Sequence, residues 1–206
     1  MRPVLPIKPV LIALAALSMS ACVSLLPESA PSAVYRLSSP APQAWAGEGR
    51  TVIEVVTPHA PRGLAGDEIA IQMADGHIAY MAATRWIAPA PRIMQNLIVD
   101  TMNATESGLA PILPEDGIRA QYELRLDLRE FEAVYDQGDG DAPLIRVRLA
   151  ARLVASDGRR LAGSSVFVGE ARASRNRVGA IVAAFDQAAA QVSRELAEWT
   201  AAQTAE

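Results

Sequence analysis

The stretch YELRLDLREF, residues 122–131, decides the fold because apolar and charged side chains alternate along it. Alternation with a period of two places successive side chains on opposite faces of a β-strand, so it predicts a long strand with one buried face. Tyr122 and three leucines share that face. Phe131 is one residue out of step with them, so we expect a shift in phase ahead of it that turns its ring towards the core.

Downstream of this strand, the sequence indicates a hairpin and a long helix. Residues 144–155 and 161–171 are strand-like runs on either side of Ser156-Asp157-Gly158, a sequence typical of tight turns. From Val178 to Trp199, apolar residues recur at helical spacing and form a single stripe. We expect this C-terminal helix to pack on the sheet, with Trp199 fastening its far end.

Upstream of the long strand, four shorter strands and one helix are expected. The predicted strands comprise residues 34–37, 51–57, 67–73 and 77–84, and Asp75-Gly76 forms the turn between the last two. A helix follows from Pro89 to about Gly108, with apolar residues at i, i+4 spacing. Together these elements predict an α+β domain of two layers, in which two amphipathic helices cover one face of a mostly antiparallel sheet.

The start of the chain resembles a secretory signal. A basic beginning with Arg2 and Lys8 is followed by an uninterrupted apolar run at residues 10–17 and by small residues up to Cys22, the only cysteine. The apolar run is too short to span a bilayer. Small residues directly before a cysteine resemble the lipobox of bacterial lipoproteins, in which the thiol receives a diacylglyceryl group and the peptide is cut before it.

The predicted organisation is a signal peptide at residues 1–21, a lipidated Cys22 with a flexible spacer at residues 22–33, and a single domain at residues 34–206. An ordinary cleaved signal peptide with an incidental cysteine is the alternative, but a secreted chain rarely carries one unpaired thiol. Two or more acyl chains, such as palmitate, hold a protein stably at a membrane. Val23 stands where aspartate would retain a lipoprotein in the inner membrane, so we expect the periplasmic face of the outer membrane.

Charge and cysteine content limit the partners and the source of stability. The chain carries 19 basic and 23 acidic residues, and removal of residues 1–21 takes away two of the basic ones. An acidic domain does not suggest nucleic acid as a partner, because phosphate binding needs a basic surface. Acylation of Cys22 leaves no disulfide, so apolar packing must hold the fold, and the chain is long enough to bury a core.

Residues that catalyse reactions or bind metals form no recognisable set. His59 and His77 are the two histidines, and neither belongs to a paired metal-ligand spacing. No G-x-S-x-G motif or phosphate-binding loop is found. The acidic loop at residues 136–141 has glycines where a calcium-binding loop needs Asp or Asn, which favours a solvated turn over a calcium site. We expect a non-enzymatic protein with no cofactor and no metal.

Several features follow one another in a characteristic order along the chain. They are Cys22, Tyr35-x-Leu37, the β-branched run at residues 51–57, Arg85-Trp86, the long strand and the alanine-rich C-terminal helix. This order resembles the ABC-type transport auxiliary lipoproteins. The resemblance implies a companion of MCE-domain and paraquat-inducible systems, which move phospholipids or other lipids between the inner and outer membranes of Gram-negative bacteria. It also implies an MCE-domain protein with its ABC permease and ATPase as partners. Because a chain without a catalytic set acts only through what its folded surface contacts, we also expect self-association into a symmetric ring or dimer.

Three aromatic side chains are candidates for contact with a partner or a lipid. Tyr35 and Trp86 lie at predicted strand ends, where burial in the core is the commoner role and an interface is the alternative. Trp45 lies in a loop rich in Pro, Ala and Gly, so contact with a partner and burial are equally compatible with its surroundings.

A second class of function stays open beside lipid transport. A lipoprotein chaperone or assembly factor for another outer-membrane complex would have the same anchor, spacer and two-layer domain. Neighbouring genes separate the two: a permease, an ATPase and an MCE-domain protein favour transport, whereas a β-barrel gene favours assembly.

Overall fold

The computed structural model describes residues 32–41, 43 and 49–205. The described residues belong to one compact unit that begins at Ser32. In the described part of the chain, eight strands form a single sheet, and two α-helices pack against each other and on one face of it. The predicted α+β fold is therefore confirmed.

The helices and strands are numbered in chain order. They are β1 (Ala33–Tyr35), β2 (Thr51–Val55), β3 (Glu68–Gln72), β4 (Ile78–Trp86), α1 (Ala90–Ala104), β5 (Leu109–Ile112), β6 (Tyr122–Val134), β7 (Leu144–Ala155), β8 (Arg160–Arg172) and α2 (Val178–Thr204). Short 3-10 turns at Arg62–Leu64 and Pro114–Asp116 complete the set.

Strand β6 is the centre of the sheet. Along one edge it pairs antiparallel with β7, which in turn pairs antiparallel with β8. On its other edge β6 is parallel both to β2, near Leu124, and to β3, near Ala133. The long pairings are antiparallel, as predicted, whereas the short strands β1, β2, β3 and β5 contribute parallel pairs that the sequence pattern did not indicate.

A β-bulge in β6 produces the shift in phase expected from the sequence. The register with β7 slips between Leu128 and Glu130. Before the slip the leucines point inward, and after it Phe131 is 1% exposed and faces the core. The extra residue, Arg129, is exposed. The bulge thus lets both halves of one strand contribute apolar side chains to the same layer.

Most predicted boundaries agree with the structure, and the one missed strand contains a proline. Strand β7 coincides with its predicted range, whereas α1 ends at Ala104 and α2 continues to Thr204. The missed strand is β5, in which Pro111 lies opposite Ile53 of β2. Proline removes a ladder hydrogen bond and is confined to edge strands, and β5 is an edge strand of this sheet.

Helix α1 is attached to the sheet by a buried amide as well as by apolar packing. Gln95 is completely buried, and its Nε2 donates to the carbonyl oxygen of Val55 at 2.8 Å. Its Oε1 accepts hydrogen bonds from Thr57 and Arg92, each at 3.0 Å. A buried amide with these partners fixes the position of α1 on β2, because a shift would leave polar groups unpaired.

Helix α2 lies unusually close to β8 because a glycine faces it. A Cβ built on Gly169 would be 2.2 Å from the carbonyl oxygen of Ala188 and 2.9 Å from Val192. At the far end of the helix, Trp199 meets Phe167 of β8 with ring centroids 5.8 Å apart, which confirms its predicted fastening role. The distance between α2 and the sheet therefore depends on the absence of a side chain at position 169.

Substitution Gly169→Ala is expected to destabilise the domain by about 1–3 kcal/mol, because the added methyl group overpacks a contact made with backbone. Gly179→Ala is the control, since nothing lies within 4 Å of a Cβ at that position, which is in the first turn of α2. Urea denaturation followed by circular dichroism measures both. Equal stability of the two variants would show that α2 does not approach β8 this closely.

Candidate functional site

The first strand of the domain, β1, pairs with the end of β4. Strand β1 is parallel to the end of β4, with Tyr35 opposite Trp86, and the amide of Ile87 donates to the Tyr35 carbonyl oxygen at 2.7 Å. Arg85 reaches back to the Ser32 hydroxyl at 3.5 Å. The first described residues are thus part of the sheet, and any pull on them acts directly on the end of β4.

Residues 36–40 then cross the helix layer. Leu37 is 7% exposed and belongs to the core. Asp186 of α2 accepts hydrogen bonds from the Ser38 amide at 2.7 Å and from the Ser38 hydroxyl at 3.2 Å. Farther along, the amide of Gln43 donates to the Asn103 carbonyl oxygen at 3.3 Å. The segment, which was predicted as a loop from Ser38 onward, is held to both helices.

An apolar groove of about 440 Å³ lies beside this segment, between α1 and α2. Its walls are Ser38, Ser39 and Pro40 from the crossing segment, Leu97, Thr101, Ala104 and Thr105 from the α1 side, and Ala190 and Arg194 from α2. The hydroxyl of Thr101 donates to the Leu97 carbonyl oxygen at 2.7 Å. This hydroxyl is therefore satisfied within α1 and needs no hydrogen bond from a ligand. A smaller groove of about 220 Å³ lies on the other side of the segment, near Ile87 and Ile93.

The larger groove suits an aliphatic chain with a negative group at one end. Its volume is within the range of small-ligand sites, which are mainly apolar with a few oriented polar groups. Among the described residues that line it, Arg194 is the only ionisable one, and Arg194 is in none of the ion pairs of the described part of the chain. A cation at the rim of an apolar groove is the arrangement that an amphiphile with an anionic head would recognise.

Trp86 is a core residue and not a contact residue. It is 1% exposed, and its ring lies 5.6 Å from Phe131 and 5.1 Å from Phe185 between centroids. Phe131 and Phe185 are themselves 4.9 Å apart. The contact role considered for Trp86 is corrected, because a side chain enclosed by β4, β6 and α2 has no surface to offer a partner.

The other predicted site residues have different outcomes. Tyr35 is half-buried and packs against the core, so part of its ring remains at the surface where the chain enters the domain. Cys22 and Trp45 lie outside the described residues, and their predicted lipidation and contact roles stay predictions. Sequence reasoning missed the groove itself, since its walls come from a presumed loop and from small residues on two helices.

The sheet face opposite the helices carries charged pairs. They are Arg125 with Glu123 at 2.8 Å, Arg152 with Asp127 at 2.9 Å, Arg148 with Glu130 at 3.2 Å and Arg146 with Glu170 at 2.8 Å. Exposed ion pairs contribute little to stability. Their effect here is that the arginines are neutralised by neighbours, so this face is not a basic surface for an anionic polymer.

Glu132 differs from the other carboxylates on this face, because it is buried and no arginine among the described residues forms an ion pair with it. It is 8% exposed. Burial raises the pKa of its carboxyl, repulsion from Glu130 adds to this, and Arg146 partly opposes it. Ionised Glu132 therefore weakens the fold. Asp136 is the opposite case, since hydrogen bonds from Arg172 at 2.6 and 2.9 Å lower the pKa of its carboxyl.

No group of His, Cys, Asp or Glu able to hold a metal ion is found among the described residues. In the acidic loop, Asp136 pairs with Arg172 and the Asp139 carbonyl oxygen accepts from Asn176, so these groups join the loop to the end of β8. None of the described helices is long and apolar enough to cross a membrane.

Substitution Trp86→Ala is expected to lower the free energy of unfolding by about 3–5 kcal/mol, because it empties the centre of the aromatic cluster. Ile87→Ala is the control, since that side chain is 54% exposed and its loss is expected to change stability by less than about 0.5 kcal/mol. Chemical denaturation measures both. If Trp86→Ala were as stable as the wild type, Trp86 would not be a core residue, and contact with a partner would again be its expected role.

Substitution Glu132→Gln is expected to raise the melting temperature at pH 7. A carboxyl whose pKa is raised by folding is protonated in both states below its unfolded pKa, and its ionisation costs stability as the pH rises above that value. The gain is therefore expected to shrink as the pH falls towards 4, in thermal scans across this range. Glu170→Gln is the control, because it removes the negative charge that pairs with Arg146 and is expected to give no gain.

Comparison with known proteins gives matches along most of the chain. The family model of the ABC-type transport auxiliary lipoprotein component matches residues 35–197. A crystal structure of protein XCC0632 from Xanthomonas campestris superposes with a TM-score of 0.72 at 26% identity, over 85% of this chain and 97% of that one. A crystal structure of an uncharacterized protein, at 17% identity, shares the fold with a TM-score of 0.66 over 83% of this chain and 99% of that one.

One curated relative is an uncharacterized protein, bll6063, from Bradyrhizobium diazoefficiens. It is 30% identical over 115 residues, which make up 56% of this chain and 30% of that protein. The chain thus spans less than a third of this relative's length. The family match, in contrast, extends from Tyr35 in β1 to Ala197 in α2 and includes the crossing segment, both walls of the groove and the aromatic cluster. The chain belongs to the family of ABC-type transport auxiliary lipoproteins.

Proposed function

We propose that this protein is a non-enzymatic lipoprotein on the periplasmic face of the outer membrane, where it serves an MCE-type system that moves phospholipids between the two membranes. The observation that carries the proposal is the family match over residues 35–197. That family is one of transport auxiliary lipoproteins and not of enzymes. In this proposal the ATPase subunit of the system hydrolyses nucleotide, and this chain binds the MCE-domain protein and the lipid.

The proposed anchor limits where the domain works. Ser32 lies ten positions after Cys22, with nine residues between them. A fully extended chain of this length spans about 35 Å, so an acylated Cys22 would keep the start of β1 within that distance of the membrane. Because residues 32–40 are part of the sheet and helix layers, the anchor would hold the domain by its folded part.

The groove between α1 and α2 supports a role in lipid contact. Acyl chains are aliphatic and phospholipid head groups carry a phosphate, which correspond to the apolar walls of the groove and to Arg194 at its rim. A groove whose walls include the exposed Ser38, Ser39 and Pro40 suits transfer better than storage, because the ligand leaves without unfolding the site. This role would need no cofactor and no metal.

The experiment is co-purification from membrane fractions of cells that carry the tagged full-length chain. The wild type is expected in the outer-membrane fraction together with the MCE-domain protein and phospholipid, whereas Cys22→Ser is expected in the soluble periplasmic fraction. Ala190→Trp fills the groove and is expected to lower the bound lipid at equal protein level. Ala183→Trp is the matched control, since that alanine is exposed on the same helix and does not line the groove.

The outcomes separate the two classes of function. Loss of lipid in Ala190→Trp alone, with the MCE-domain protein retained, supports the groove as the lipid site. Recovery of an outer-membrane β-barrel instead of an MCE-domain protein would replace the transport proposal with the chaperone or assembly-factor alternative. An outer-membrane location for Cys22→Ser would contradict the anchor.

A further inference from the structure

The sheet face opposite the helices changes from charged to apolar towards β1. Its charged pairs lie on β6, β7 and β8, whereas three large apolar side chains are exposed on β1 and β4: Val34 at 56%, Ile78 at 43% and Tyr80 at 46%. Tyr35 and Met81, which alternate with Val34 and Tyr80 along these strands, pack against the core on the helix side. The three exposed side chains therefore share the outer face.

A strained bulge in β4 brings these side chains together. Tyr80 and Arg85 pair with positions only two residues apart on β3, so residues 81–84 bulge out of the ladder. Within the bulge, Ala83 has a φ of 53°, which is uncommon for a residue with a side chain. Val34 lies opposite Arg85, so Val34 and Tyr80 are about 7 Å apart along the strand direction. The resulting surface, the β4 patch, consists of Val34, Ile78, Tyr80 and the exposed bulge residues Ala82 and Ala83.

The β4 patch offers side chains to a partner and not an open ladder. A bulge blunts a strand edge, because it breaks the row of backbone groups with which another strand would pair. The charge beside the patch is paired, since Nη1 of Arg85 lies 3.7 Å from Oδ2 of Asp67. The Tyr80 hydroxyl donates to the Gly63 carbonyl oxygen at 3.2 Å, while its ring stays exposed. A tyrosine ring among aliphatic side chains is typical of surfaces at the boundary between water and lipid.

The position of the β4 patch in the chain identifies its occupant. Val34 lies two positions after Ser32, and Cys22 lies ten positions before Ser32. An acylated Cys22 would hold the membrane within about 35 Å of Ser32. A lipid surface held this close meets the patch at a high effective concentration, so even a weak apolar contact is occupied.

We infer that the β4 patch rests on the phospholipid leaflet that holds the lipid anchor. The inference rests on the proposed acylation of Cys22 and on no other part of the proposed function. The short side chains of Ala82 and Ala83 leave the neighbouring apolar side chains free to reach the lipid. Because the two helices cover the opposite face of the sheet, a domain lying on this patch keeps the groove between them open to a partner in the periplasm.

The experiment uses the acylated full-length chain in vesicles of phosphatidylethanolamine and phosphatidylglycerol, with or without bromine on the acyl chains. Ala82→Cys carries an environment-sensitive dye, because Cys22 is the only native cysteine and its thiol would be acylated. The chain is expected to float with the vesicles, and the dye at position 82 is expected to lose emission when the lipid is brominated. Ala183→Cys is the matched control, since that alanine is exposed on α2 in the opposite layer and its dye is expected to keep its emission.

A second substitution tests the side chains of the β4 patch. Ile78→Asp added to Ala82→Cys is expected to abolish the loss of emission, because a carboxylate at the lipid boundary would have to be desolvated. Ile118→Asp is the control, since Ile118 is 55% exposed but lies outside the patch, between β5 and β6. Both side chains are exposed, so both variants are expected to keep the melting temperature of Ala82→Cys.

Flotation and emission together separate this inference from the proposed function. A chain that floats but shows no loss of emission at position 82 overturns the inference and leaves the anchor intact. Equal loss at positions 82 and 183 also overturns it, because the domain would then have no preferred face towards the lipid. A chain that does not float contradicts the anchor and, with it, this inference. An emission change that requires an added MCE-domain protein, or a higher protein concentration without vesicles, would assign the patch to a protein partner instead.

Discussion

The β-bulge between Leu128 and Glu130 is the constraint on which the rest of the structure depends. A strand of 13 residues with strict alternation would turn Phe131 and Ala133 outward and Glu132 inward. The bulge reverses this, so Phe131 reaches Trp86 and Phe185 and closes the contact among β4, β6 and α2. The same slip leaves Glu130 and Glu132 on the charged face, where one is paired with Arg148 and the other is buried at a cost.

Local patterns were sufficient for the antiparallel part of the fold and insufficient for the parallel part. The hairpin of β7 and β8 follows from alternation and turn residues that are adjacent in sequence. The pairing of β2 and β3 with opposite ends of one edge of β6 joins residues some 60 positions apart, and no local signal records it. β5 was missed for a related reason, since Pro111 argues against a strand unless the strand is known to lie at an edge.

The candidate site was predictable only in part, because it is formed by packing and not by a motif. The Pro- and Ser-containing segment from Ser38 onward indicates a loop, yet Ser38 is hydrogen-bonded to Asp186 of α2. The groove arises where that segment leaves two helices with small residues uncovered. Trp86 is the opposite case. Its position ahead of a helix is compatible with an interface, whereas in the structure the bulge in β6 turns Phe131 towards it and the two rings are in contact.

The distribution of polar groups explains why binding would concentrate at the groove between α1 and α2. On the outer sheet face arginine and carboxylate side chains satisfy one another, so a charged partner would have to displace existing ion pairs for little gain. At the groove the apolar walls and Arg194 lack such partners within the described residues. The groove borders α2, whose inner side chains are buried in the core. Ala190 does not belong to that buried set, so a substitution there is expected to change binding while the core that supports the groove remains intact.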